Sequence, residues 1–172
     1  LIAIVLGTSC AVGLWRLQSP LVNAIRALAI TPLLLPQILS ALAFYRLFVD
    51  LRIIDTYMGV VLAHGIMATP LVLITVSTSL ASFDPQLERA ALGLGATPFQ
   101  TIHRIIIPNV MPGILSGSVL AFLTSWDELI VTLFITGARI VTLPRRIWAG
   151  LRDDSDPVIA ACATLLIMIT VL

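Results

Sequence analysis

The chain has 172 residues, of which 59% are hydrophobic and only 11% charged. A soluble domain of this size carries about a quarter charged residues, so the composition points to a lipid solvent. Ten basic residues against nine acidic ones leave a net charge of +1, which excludes the electrostatic footprint of a nucleic-acid binder.

In chain order, apolar stretches cover 1–15, 27–45, 56–83, 105–126 and 157–172, and none of them contains Asp, Glu, Lys or Arg. A hydrocarbon core of ~30 Å takes about 20 residues of helix to cross. These stretches predict five membrane spans, at 1–15, 27–48, 57–80, 110–135 and 156–172. All five are expected to be helices, because an open strand edge cannot be satisfied in lipid. The expected fold is all-α, a polytopic transmembrane bundle in one domain over 1–172, with lipid as a partner. Pro32 and Pro36 in the second span and Pro70 in the third are compatible with helices whose neighbours re-satisfy the backbone. Leu1 opens directly on an apolar run without a basic leader, which argues against a signal peptide. Cys10 and Cys162 lie in apolar runs without metal-ligand spacing and read as buried free thiols.

Two connections are long, 81–109 and 136–156. In the first, Asp84 before Pro85 is a helix start. Leu87, Ala90, Ala91 and Leu94 then fall on one helical face, and Gly93 and Gly95 can end the helix. Thr97 and Pro98 repeat the start, Phe99, Ile102 and Ile106 form a second apolar face, and Pro108 and Pro112 lead into the next span. The segment reads as two short amphipathic helices around a glycine turn. On these residues alone it can rest on lipid, on its own spans, or in a partner.

Asp127 and Glu128 fall inside the fourth span, where a carboxylate costs about 2.5–3.5 kcal/mol and faces a cavity or a partner. One of them is expected to line a path for a cationic solute. The plainer alternatives are an intramembrane pair with an arginine or a place nearer the surface. His64 reads as a satisfied core histidine more readily than as a proton relay. Arg139, Arg145, Arg146 and Arg152, with Trp148, read equally well as a gate or docking surface and as a solvated rim. Trp15, Trp148, Tyr45 and Tyr57 suit interface anchors, while Phe44, Phe122 and Phe134 suit packing. Ser40, Ser77, Ser116 and His64 make no nucleophile–base signature, and there is no phosphate loop. The chain is not expected to be an enzyme, and no cofactor or metal site is expected.

The 81–109 segment resembles the EAA loop of the binding-protein-dependent importers of the ATP-binding-cassette class. That pattern is Glu-Ala-Ala, three residues, Gly, nine residues, then Ile, any residue, Leu and Pro. Arg89, Ala90 and Ala91 stand at the triplet, Gly95 at the glycine, and Ile105, Ile107 and Pro108 at the close. Arg89 replaces the glutamate and Ile107 the leucine, and Glu88 supplies a carboxylate one position earlier, about 100° around the helix. Ser125-Trp126-Asp127-Glu128, Thr142-Leu143-Pro144 with Ile147, and Pro157 with Ala160-Ala161 resemble permeases of the spermidine/putrescine branch.

The likeness runs over about 1–172, with a family-typical first span expected before Leu1 and the last span clipped. It implies a multi-pass permease of the bacterial inner membrane working by alternating access. The implied partners are two ATP-binding-cassette ATPases that hydrolyse ATP on separate chains, a second and different permease, and an external solute-binding protein. Glu88, Arg89, Ala90, Ala91, Gly95, Ile105, Ile107 and Pro108 would form the ATPase-coupling loop, and Asp127 and Glu128 the solute path. A polyamine is the preferred solute, with phosphonate, iron or thiamine as alternatives and a channel or intramembrane hydrolase as a remote one. The resemblance puts 81–109 in the cytoplasm with Arg16, Arg26, Arg89 and Arg104. That leaves Arg52, Arg139, Arg145, Arg146 and Arg152 outside, with Arg46 near that interface, against the positive-inside preference. Asp153, Asp154 and Asp156 share the outer side and temper the conflict.

Overall fold

A computed structural model describes residues 1–17, 19–153, 161, 162, 164, 165, 167 and 168. Among the described residues all regular structure is helical: α1 (Ile2–Arg16), α2 (Val22–Leu34), α3 (Gln37–Asp50), α4 (Tyr57–Ala81), α5 (Pro85–Gly93), α6 (Pro98–Thr101), a π-helical turn (Ile102–Ile106), α7 (Ile107–Asn109), α8 (Met111–Trp126), α9 (Ile130–Ile135) and α10 (Leu143–Asp153). Of these, α4 is long and apolar enough by itself to cross a bilayer. Two more spans result if α2 with α3, and Pro98–Asn109 with α8, each count as one broken span.

Two expected spans are not continuous helices. The stretch 27–48 is interrupted at Leu35 and Pro36, where α2 ends and α3 begins. Proline has no N–H to give and its ring clashes with the carbonyl four residues back, and it drives the preceding residue to extended backbone. Pro32 and Pro70 stay inside their helices, so proline content alone does not reveal which one breaks. The stretch 110–135 is interrupted at 127–129, with α8 on one side and α9 on the other. Most of the expected span 156–172 lies outside the described residues, and the connection 136–156 contains a helix, α10, that was expected as a loop.

The chain divides into two compact units, Leu1–Leu33 with Gly65–Phe122, and Leu34–His64 with Leu123–Leu172. In the first, α1, α4 and α8 pack around Val72, Leu73, Val76 and Leu80, all at most 1% exposed. Glycines let these backbones approach. A methyl group at Gly7 would sit 2.6 Å from Val72 Cβ, one at Gly113 2.7 Å from the Thr75 carbonyl oxygen, and one at Gly117 3.0 Å from Val72 Cα. In lipid, helices associate through close van der Waals packing rather than through a hydrophobic drive, and small residues four apart permit it. In the second unit α3 packs on α9, with Phe48, Val131 and Ile135 at most 2% exposed.

Candidate functional site: a folded hairpin and a carboxylate pair

The hairpin between α4 and α8 is built by local capping. The Asp84 side chain accepts from Gln86 N–H at 2.9 Å, with Pro85 in the first turn of α5. At the far end α5 stops at Gly93, and Gly95 takes φ +87°, a left-handed conformation open to glycine at little cost. That turn lets Ala96 N–H reach the Ala91 carbonyl at 3.0 Å. Thr97 then starts α6 with a reciprocal box. Its hydroxyl accepts from Gln100 N–H at 3.3 Å, and its own N–H donates to Gln100 Oε1 at 2.9 Å. The sequence S/T-x-x-E/Q carries that signal, although only the cap was read from it.

The buried face of α5 differs from expectation. Of Leu87, Ala90, Ala91 and Leu94, only Ala91 is buried. Leu94 lies beyond the helix end and is 90% exposed, and Leu87, Leu92 and Phe99 are exposed with it. In the second half, Thr101 and Ile106 are fully buried and hold the hairpin to its unit's core, while Ile105 and Ile107 are half-buried and Pro108 is exposed. The π-helical turn at 102–106 has no signal that periodicity could have caught; such turns recur at functional sites.

Glu88 and Arg89 face different surroundings. The Glu88 carboxylate accepts from the Arg16 guanidinium at the end of α1, whereas Arg89 is exposed. Glu88 is therefore taken by its own chain. Trp15 meets Phe83 edge-to-face at 5.5 Å beside this pair. Trp15, Arg16, Pro85, Glu88, Arg89, Leu92 and Pro98 together line an open groove of about 600 Å³.

Asp127 and Glu128 sit at the α8–α9 break, not within a continuous helix. Asp127 is exposed and Glu128 only 4% exposed. Glu128 Oε1 accepts from Val131 N–H at 2.9 Å and Oε2 from Gln37 Nε2 at 3.3 Å. Among the described residues neither acid has an arginine partner, so the ion-pair alternative does not hold there. His64 lies alongside, bonded to Ser125 Oγ at 2.8 Å and Thr132 Oγ1 at 3.3 Å. It is a satisfied core histidine.

Sequence reading missed Asp55. Its carboxylate accepts from the N–H groups of Gly137, Arg139 and Ile140 at 2.7, 3.2 and 3.3 Å. The Gly137 bond above all, with the other two, outweighs desolvation and holds the carboxyl below its ordinary pKa. From the other side Arg145 Nη1 donates to Thr136 Oγ1 at 2.6 Å and to the carbonyls of Gly137 and Ile140 at 2.5 and 3.1 Å. Arg145 is thus a structural brace rather than a free rim charge. Arg139 and Arg146 are both exposed, and the Arg152 side chain lies outside the described residues. Among the described residues no cluster of His, Cys, Asp and Glu could hold a metal ion.

Residues 3–172 match the family of binding-protein-dependent transport system inner membrane components. The chain is 34% identical over 172 residues to the putrescine transport system permease protein PotI of Escherichia coli K12, covering 96% of this chain and 61% of that protein. It is 30% identical to the spermidine/putrescine transport system permease protein PotC of the same strain, over 98% of this chain and 64% of that protein. It is also 31% identical to the molybdenum transport system permease protein ModB of Mycobacterium bovis, over 98% and 69%. The chain thus spans somewhat under two thirds of the two polyamine permeases. A match over nearly every residue means that this chain belongs to the family of binding-protein-dependent transport system inner membrane components.

Proposed function

We propose that the chain is the multi-pass translocating subunit of an ATP-driven importer for a small cationic solute, a polyamine above all, in the bacterial inner membrane. Two ATPase subunits on separate chains supply the energy, a second and different permease completes the pathway, and an external binding protein delivers the solute. Segment 81–109 is the cytoplasmic coupling loop, with Glu88, Arg89, Ala90, Ala91, Gly95, Ile105, Ile107 and Pro108 as its working residues. The observation that carries this is a capped hairpin anchored by Thr101 and Ile106 while Leu87, Leu92, Leu94 and Phe99 stay exposed. Apolar side chains on a folded polar-rimmed element suit a protein partner better than water.

The solute path runs past the α8–α9 break. Transporters bind their solutes where spanning helices are discontinuous, and this break exposes one carboxylate, Asp127, with no arginine counter-ion among the described residues. That favours a cation. The likeness to ModB supports a second reading, a molybdenum-containing solute, which the acids disfavour.

Uptake of radiolabelled putrescine by the assembled transporter, with spermidine and molybdate as competitors, tests the reading. Saturable ATP-dependent uptake blocked by spermidine but not by molybdate is expected. Competition by molybdate alone overturns the cation assignment. Gly95→Trp should leave ATP hydrolysis running but uncouple it from uptake, and normal uptake by that variant would remove the coupling role.

A further inference from the structure

Two adjacent carboxylates stand in opposite situations at the α8–α9 break. Helix α9 starts without a side-chain cap from Leu129, its N-cap residue. Glu128, one position earlier, supplies the acceptor instead by taking Val131 N–H at 2.9 Å, one of the donors that a helix start leaves without an intrahelical partner. Its second oxygen takes Gln37 Nε2 at 3.3 Å, and Gln37 is the first residue of α3, immediately after Pro36. One side chain therefore ties the proline break to the carboxylate break. The Glu128 carbonyl accepts from Thr132 Oγ1 at 3.3 Å, and Thr132 is fully buried beside His64. Each bond to Glu128 asks for an acceptor oxygen and none asks for a negative charge. Asp127 makes no side-chain hydrogen bond or ion pair among the described residues and is exposed.

We propose that the two acids divide the work: Asp127 is the carboxylate that meets the cationic solute, and Glu128 is a positioning residue that holds the break open and turns Asp127 outward. This rests on the reading that the break lies on the solute path. A neutral isostere should then serve at 128 but not at 127.

The test uses the assembled transporter with its ATPase and binding protein, with putrescine as the probe. Glu128→Gln keeps an oxygen for Val131 N–H, and its NH2 can donate to Gln37 once the Gln37 amide turns over to present its oxygen, so KM and kcat should stay close to the parent's. Asp127→Asn should raise KM about tenfold, the scale of one lost charge-assisted bond, with kcat largely kept. Loss of transport in Glu128→Gln to the same degree overturns the division.

A second readout does not depend on transport. With Cys10→Ala and Cys162→Ala as background, Asp127→Cys is labelled by a cationic methanethiosulfonate reagent. Labelling should keep its rate when combined with Glu128→Gln and slow severalfold with Glu128→Ala, which leaves the Val131 N–H at the start of α9 without its acceptor. Equal rates in the two backgrounds overturn the positioning role. Unaltered putrescine uptake by Asp127→Asn, with the labelling pattern intact, instead overturns the solute path and Asp127's share in it, leaving Glu128's role standing on the labelling.

Discussion

Gly93 and Gly95 stand two residues apart in the hairpin turn and behave as different residues. Gly93 is helical, and an added methyl there meets nothing within 4 Å. Gly95 has equal room, but at φ +87° any side chain costs about 1–2 kcal/mol in a left-handed conformation. Gly95→Ala should therefore loosen the turn, while Gly93→Ala should be neutral or firm α5 by up to about 1 kcal/mol. Amide hydrogen exchange at Leu94 and Ala96 reads the contrast, and equal behaviour of the two variants would contradict it. Asp55 gives a pH-dependent counterpart. A carboxyl whose pKa is lowered by folding contributes fully at pH above its unfolded value of about 4, and that contribution is lost as pH falls through the folded value. Exchange protection of the Gly137, Arg139 and Ile140 amides should hold from neutrality down to the usual carboxylate range and fail only below it. Asp55→Ala should remove that protection at every pH.

Among the elements, α4 is the post on which α1 and α8 close, and the closeness depends on the absence of side chains at Gly7, Gly113 and Gly117. Gly117→Leu forces a branched chain against Val72 Cα, and overpacking of this kind costs about 1–3 kcal/mol. Gly13→Ala faces open space and should cost nothing. Thermal unfolding in detergent separates them, and equal midpoints would place the α4–α8 contact elsewhere. The glycine spacing 113–117 was visible in the sequence but carries no direction. Which helix it faces is a tertiary fact. The Asp84 and Thr97 starts and the Gly95 stop were legible because capping is local chemistry. The buried face of α5 was not, because so short a helix with small residues on several sides leaves its orientation to the packing around Thr101 and Ile106. The break at 127–129 was hidden for the opposite reason: no proline or glycine marks it. It is sustained by bonds from Gln37, Val131 and Thr132 to Glu128.

Over the whole molecule, hydropathy was enough to assign an all-helical membrane protein, and the motif in 84–108 with the 125–128 cluster was enough for the family. What hydropathy blurred was continuity, since a broken pair of helices and one long helix have the same average. The arginine imbalance between the expected sides persists in the structure. Arg145 is held by three acceptors within its own connection, all neutral oxygens that leave its charge in place, so the expected orientation still runs against the positive-inside preference. The proposed machine depends on the hairpin reaching an ATPase. A photo-crosslinking residue in place of Leu94, 90% exposed in the turn, tests this directly in the assembled transporter in native membranes. The expected product is a covalent adduct with the ATPase subunit, lost when that subunit is absent. Adducts confined to this chain's own helices, or labelling of position 94 by a membrane-impermeant reagent from the external side, would contradict it.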